Sequence, residues 1–244
     1  MTNEDATTVG ASDRPRRTTL TPVTFKIFLN GALKRRGKSG FLRSLKPNAK
    51  VLDAGCGNAS PMKAKSQRPD LSYFGIDVGD YNQSTPKKFA EKYLVVTPEK
   101  FASAIEQFEG QMDAVISSHN IEHCNDPERA IAAMVKALKP SGRLYLAFPC
   151  EMSVRFPRRR GTLNFYDDRT HSWLPRWDAA LSALRRDGME VEFSARRCRP
   201  LCLAAIGLLW EPVSALFKKS ASATWALYGF ESVIWASRPT NIQS

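Results

Sequence analysis

This chain has too few cysteines, in the wrong places, to build a metal frame or a disulfide scaffold. Cys56, Cys124, Cys150, Cys198 and Cys202 are scattered, odd in number and never spaced C-x-x-C. That pattern excludes a zinc ribbon and a disulfide framework and fits a reducing compartment, so cytoplasm is the expected location. The N-terminus lacks an apolar core, so no signal peptide is expected ahead of the domain. No apolar run reaches the ~20 residues that a spanning helix needs. The longest, Leu201 to Phe217, is broken at Glu211-Pro212. Histidine occurs only at positions 119, 123 and 171. No internal repeat is present.

What remains is enough for one large domain with a proper core, at 244 residues, 43% hydrophobic and 25% charged. The net charge of +12 stands out and implies an anionic partner. A phosphorylated small molecule or glycan and an anionic membrane surface both fit. Nucleic acid is not expected, because no stripe of interleaved aromatic and basic residues appears. A plain basic surface would also account for the charge.

Residues 1–17 read as a disordered polar tail, and residues 18–244 as a single domain. From Thr21 an apolar pattern (Val23, Phe25, Ile27, Phe28, Ala32, Leu33) predicts a helix. Short apolar runs ending in polar residues predict strands at Val51–Ala54, Leu71–Ile76, Tyr93–Val96 and Met112–Ser117. Asp126-Pro127 predicts a capped helix through Leu138. Lys139-Pro140-Ser141-Gly142 then turns into a fifth strand, Arg143–Phe148. A helix at Trp177–Arg186 and a strand at Met189–Arg196 follow, and Gly229–Ala236 forms a closing strand. The alternation predicts an α/β, doubly wound, Rossmann-like sheet, with a cofactor half at 45–150, an acceptor or lid half at 151–228 and closure at 229–237.

In such sheets ligands bind at the carboxyl ends of the strands. Asp53, Gly55, Asp77 and Ser117 to Asn120 all stand at such ends. The turn Asp53-Ala54-Gly55-Cys56-Gly57 has the G-x-G spacing that lets backbone pass close to a ligand. Ser60 replaces the third glycine of the dinucleotide pattern, and no Lys-Ser/Thr pair marks a P-loop.

The ordered segments VLDAGCGNAS, YFGIDV and DAVISSHNIEHCNDPERAIAAMVKALKPSGRLYLAFP resemble class I S-adenosylmethionine-dependent methyltransferases, in the type 11-like branch. The resemblance covers roughly residues 50–149. It implies a seven-stranded, mostly parallel sheet with a reversed last strand and S-adenosylmethionine as cofactor. Asp53, Gly55 and Gly57 would approach the methionine part, with Cys56 contributing backbone. Asp77 would take the ribose hydroxyls, with Val78 next to it, and Ser117 and Ser118 would pass beneath the sulfonium. Thr97-Pro98-Glu99 stands where the family often has an Asp-Ala-like pair near the adenine. A weaker resemblance, through GTLNFYDDRTHSWLP, is to methyltransferases of bacterial surface-polysaccharide clusters.

Methyl transfer to a hydroxyl needs a general base, and imidazole suits that task near neutral pH. His119 and His123, four residues apart, are expected to share a face, and His171 could form a dyad with Asp167 or Asp168. In the related branch the Glu-His pair, here Glu122-His123, can hold a divalent metal, which here would involve His119. Bracing of the loop is the bland alternative. The Arg155, Arg158, Arg159, Arg160 loop suits phosphate. Residues 201–217 are expected to form two short helices over the acceptor pocket, or a segment lying peripherally on a membrane. The expected function is O-methylation of a sugar, glycan or lipid-linked saccharide. The alternatives are RNA or a quinone-like lipid as acceptor, and a non-catalytic cofactor-binding scaffold at a membrane.

Overall fold

A computed structural model describes residues 35–57, 59–79 and 89–240. The expected tail and the helix from Thr21 lie outside the described residues. Within them, seven strands make one sheet in the order β3-β2-β1-β4-β5-β7-β6. They are β1 (Lys50–Ala54), β2 (Ser72–Asp77), β3 (Lys92–Val95), β4 (Met112–Ser118), β5 (Leu138–Pro149), β6 (Glu190–Ala195) and β7 (Glu231–Ser237). The first five run parallel, and β7 is antiparallel to both β5 and β6. The order reverses between β1 and β4, which places the ligand crevice above their carboxyl ends.

Strand side chains alternate between two buried faces, as a covered parallel sheet requires. Leu52, Val115, Leu144 and Leu146 join one core with α3 (Phe101–Glu106), α4 (Pro127–Ala137) and α5 (Trp177–Arg186). Val51, Tyr73, Ile116 and Tyr145 join the other with α1 (Lys38–Arg43) and α2 (Ser60–Gln67). The α4 boundaries follow from local chemistry. Asp126 Oδ1 accepts the Arg129 N–H at 3.0 Å, Pro127 occupies the first turn, and Ala130, Ile131 and Met134 face the core.

Two expectations need correction here. Lys139 to Gly142 does not separate a helix from a strand; it is an irregularity inside β5. Leu138 pairs with Met112 and Arg143 with Ala114, so the intervening residues bulge out, with Ser141 at φ +62°. Nor do residues 201–217 split in two. A single helix, α6 (Leu201–Leu216), continues through Pro212, and α7 (Ser222–Tyr228) follows it. Pro212 removes one N–H, and burial against α7 outweighs that local loss. Gly207 makes the packing possible, since a Cβ there would meet Ala223 O at 2.2 Å.

Candidate active site

β1 delivers the chain into a turn that only special residues can follow. Gly55 has φ +78° and Gly57 φ +57°, both left-handed. The Gly55 and Cys56 N–H groups donate to Ile76 O at 2.9 and 3.3 Å, tying the turn to β2. Asp53 is fully buried beneath it, and its Oδ2 accepts from Tyr73 OH (2.5 Å), Lys38 Nζ (2.5 Å) and Ser60 Oγ (2.9 Å). Ser60, standing in the third-glycine position, therefore has a structural task. Asp53 thus lies beneath the turn and, contrary to expectation, does not line the cleft; Lys38, its ion-pair partner, does.

Asp77 ends β2, 5% exposed, with Oδ2 accepting the Gly57 N–H at 2.6 Å and Oδ1 the Val78 N–H at 2.8 Å. Burial raises its carboxyl above the ordinary range, against the pull of N–H donors from Gly57, Val78 and Gly79. Burial also pushes the Cys56 thiol far up, assisted by the Asp53 and Asp77 charges. Ser117 is buried with an unpartnered hydroxyl, and Ser118 is on the cleft wall.

Three recesses lie at the carboxyl ends of the central strands, the first of them lined by this turn. A cleft of about 450 Å³ is lined by Gly55, Cys56, Gly57, Ser118 and His119. A second, of about 410 Å³, shares Lys38, Lys63, Ser118 and His119 with it and continues to Leu203, Trp225 and Glu231. A smaller one beside Val78 is lined by Pro98, Glu99, Phe101 and Asn120. The Pro98-Glu99 departure from the family pattern thus still borders a pocket next to the second strand's end. These residues fit an adenosine-type cofactor. Among the described residues a Cβ on Gly57 would meet nothing within 4 Å, and Asp77 is tied to this turn through the Gly57 N–H.

The three histidines are divided. His119 does not share a face with His123; it precedes a single 3-10 turn (Ile121–His123) and has φ +54°. Its N–H donates to Ala147 O at 2.8 Å, and its ring stacks 5.9 Å from Phe230. Nε2 is 3.0 Å from Glu231 Oε1, and Nδ1 is 3.3 Å from Glu122 Oε1. Glu122 is fully buried, and neither of its side-chain oxygens has a hydrogen-bond partner. Its backbone carbonyl accepts from Ser172 N–H and Oγ, so this segment also braces the later loop.

His123 instead meets His171, ring centroids 4.8 Å apart. Ring atoms of both and a Glu122 oxygen lie within 4.8 Å of one another. Nδ1 of His171 is 2.6 Å from Phe165 O, and that of His123 is 3.1 Å from Thr170 O, so in each ring Nδ1 donates and Nε2 is left to accept. A metal-ligating set at Glu122 thus involves His171, and not His119. The expected acid dyad for His171 does not form. Asp167 Oδ2 accepts the N–H groups of Arg159, Leu163 and Asn164, and Asp168 Oδ1 accepts from Thr170. Arg159 is likewise committed, forming a forked pair with Glu211 at 2.9 and 2.6 Å and a bond to Ser214 Oγ, which removes it from phosphate binding.

The fold is similar to that of solved S-adenosylmethionine-dependent methyltransferases, and the segment carrying the glycine turn matches a methyltransferase domain. Residues 52–146 match the type 11 methyltransferase domain. Over 104 residues the chain is 34% identical to a ubiquinone biosynthesis O-methyltransferase of Pseudomonas aeruginosa, covering 40% of this chain and 43% of that protein. The counterpart from Dechloromonas aromatica is 29% identical over 105 residues. The chain therefore matches less than half the length of these curated relatives. Among solved structures, a methyltransferase from Archaeoglobus fulgidus aligns with TM-score 0.55 at 18% identity, over 87% of this chain and 94% of that one. One from Mesorhizobium loti aligns with TM-score 0.55 at 16% identity, over 86% and 100%. These last two likenesses concern the fold.

Proposed function

We propose that this protein is an S-adenosylmethionine-dependent O-methyltransferase whose acceptor hydroxyl is deprotonated by His119. The observation that carries the reading is the placement of His119 where the two larger clefts meet, between two buried carboxylates. Its left-handed backbone costs on the order of 1–3 kcal/mol, and strain of that kind persists where a side chain must be aimed.

When bound, S-adenosylmethionine supplies an electrophilic methyl group and leaves as a neutral thioether. Gly55, Cys56 and Gly57 would hold its methionine part, Asp77 its ribose, and Val78, Pro98, Glu99 and Phe101 its adenine. The rest is alignment and proton removal by the chain. A neutral imidazole carries one N–H and can donate to one acid only. In the structure Nε2 is the ring nitrogen that hydrogen-bonds, donating to Glu231 Oε1 at 3.0 Å, while Nδ1 lies 3.3 Å from Glu122 Oε1 without a hydrogen bond. An entering acceptor O–H would take the place of Glu231 on Nε2, with the ring proton moved to Nδ1, so that Nε2 is free to accept. As the hydroxyl becomes an ether its proton passes to Nε2, and Glu231 stabilises the new imidazolium. Glu122, His123 and His171 are the residues that would hold a divalent metal, which there would neutralise the buried Glu122 carboxylate.

The acceptor cleft combines the apolar Pro200, Leu203, Trp225 and Ala226 with the cationic Lys38 and Lys63. That lining suits a sugar or glycan hydroxyl on an anionic, lipid-linked saccharide. A quinone-like lipid is the second reading, supported by the names of the curated relatives. The test is transfer of labelled methyl from S-adenosylmethionine into two acceptor pools, lipid-linked saccharides and polyprenylated phenols. Label in the saccharides supports the first reading, and label in the phenols alone selects the second. Transfer to neither contradicts both, and full turnover by His119→Ala contradicts the assignment of the base.

A further inference from the structure

Helix α6 is built inside out. Its two polar side chains, Glu211 and Ser214, turn inward to Arg159, Tyr228 and Thr224. Leu203 and Gly207 complete that inner stripe. The opposite stripe, at the helical spacing 201, 205, 208, 209, 212 and 216, contains no polar residue. Leu201 is 85% exposed, Leu208 64%, Leu209 83% and Leu216 77%, with Phe217 at 69% just beyond the end. An isolated exposed leucine is unremarkable, whereas a continuous stripe of this kind marks an interaction surface.

What rims the stripe identifies its partner. Arg199 precedes the helix, and Lys218 and Lys219 follow it, all exposed. The loop after β5 adds Arg158 and Arg160; the Arg160 N–H donates to Lys218 O at 2.8 Å, which fixes this cation beside the two lysines. Glu211, the helix's one acid, is consumed by Arg159 on the inner side. An apolar stripe with a cationic border is the complement of acyl chains beneath anionic headgroups. A second copy of the chain would set these cations against themselves. At about 24 Å long the helix is suited to lie in the interface plane, and among the described residues no helix is long and apolar enough to cross a membrane.

We propose that α6 docks flat on an anionic lipid bilayer. Leu203, on the inner side of the same helix, lines the acceptor cleft, so docking brings that cleft to the membrane surface. The docking is independent of the chemistry assigned to His119 and is read by binding alone. The experiment is co-sedimentation of the full chain with vesicles of phosphatidylcholine, with and without phosphatidylglycerol. Binding is expected only to the anionic vesicles, weakening severalfold as salt rises from about 0.05 to about 0.5 M. The double variant Leu208→Glu/Leu209→Glu, at two exposed sites, is expected to lose roughly tenfold or more in vesicle affinity. Its melting temperature should be unchanged. Val95→Glu, an exposed apolar site at the far sheet edge, should bind as the parent does. Parent protein that stays in the supernatant overturns the proposal, as does equal binding by the double variant. A dimer that the double variant converts to monomer also overturns it, by assigning the stripe to a second copy.

Discussion

Gly55 and Gly57 share a left-handed backbone but differ in what surrounds them, so one substitution made twice separates strain from crowding. An alanine at either position pays roughly 1–2 kcal/mol for its φ. At Gly57 the new methyl group meets nothing within 4 Å among the described residues. At Gly55 it would lie 2.2 Å from both Asn120 Cγ and Oδ1 and 2.5 Å from Asn120 Cβ, where ordinary contacts run 3.4–4 Å. Cβ is fixed to the main chain, so a new rotamer gives no relief and the loop after β4 must retreat by about 1 Å. Overpacking of that kind costs about 1–3 kcal/mol more. Gly55→Ala should therefore lose ~2–5 kcal/mol, or about 4–20 °C of melting temperature, against ~2–8 °C for Gly57→Ala. Calorimetry with S-adenosylmethionine should show affinity reduced by roughly tenfold or more in Gly55→Ala, because the same retreat moves Asn120, which also lines the recess beside Val78. Gly57→Ala should weaken the cofactor too, through the methyl group it puts into the cleft. Equal melting temperatures for the two variants would refute the crowding argument.

His119→Ala and Glu231→Gln should each lower turnover by roughly 10²–10⁴-fold with cofactor affinity kept, measured by steady-state kinetics and calorimetry on the same preparations. Glu211→Ala leaves the Arg159 guanidinium, with a 6% exposed side chain, without its charge partner, and thermal unfolding should show a loss of a few kcal/mol. Asp113 is raised by burial but brought down to about 2 by the Lys50 N–H and by Lys46 and Lys139. Its folded value lies below its unfolded one, so its stabilisation is full above about pH 4 and is lost as pH falls toward 2. Urea unfolding across that window should show a slope that Asp113→Asn flattens.

Local features were legible in the sequence. The capped helix after Asp126, the G-x-G turn and the acid ending β2 announce themselves within a few residues, because caps, left-handed turns and strand ends obey short-range rules. The division of the histidines was not legible. His119 is paired with Glu231, 112 residues away, and the sheet order that brings β7 beside β5 is what joins them. Lys38 and Trp225 reach the clefts in the same long-range way. Asp167 looked like a partner for His171, but three backbone N–H groups in its own loop hold it. Pro212 looked like a helix break, yet the packing of α6 on α7 carried the helix across it.

The central claim is that the Gly55–Gly57 turn and Asp77 form an S-adenosylmethionine site. Titration of the cofactor into the parent chain and into Asp77→Ala measures it directly. Saturable binding at one site per chain, weakened about tenfold or more by Asp77→Ala, is the expected result. A parent chain that takes up no cofactor, or an Asp77→Ala variant with unchanged affinity, would contradict it.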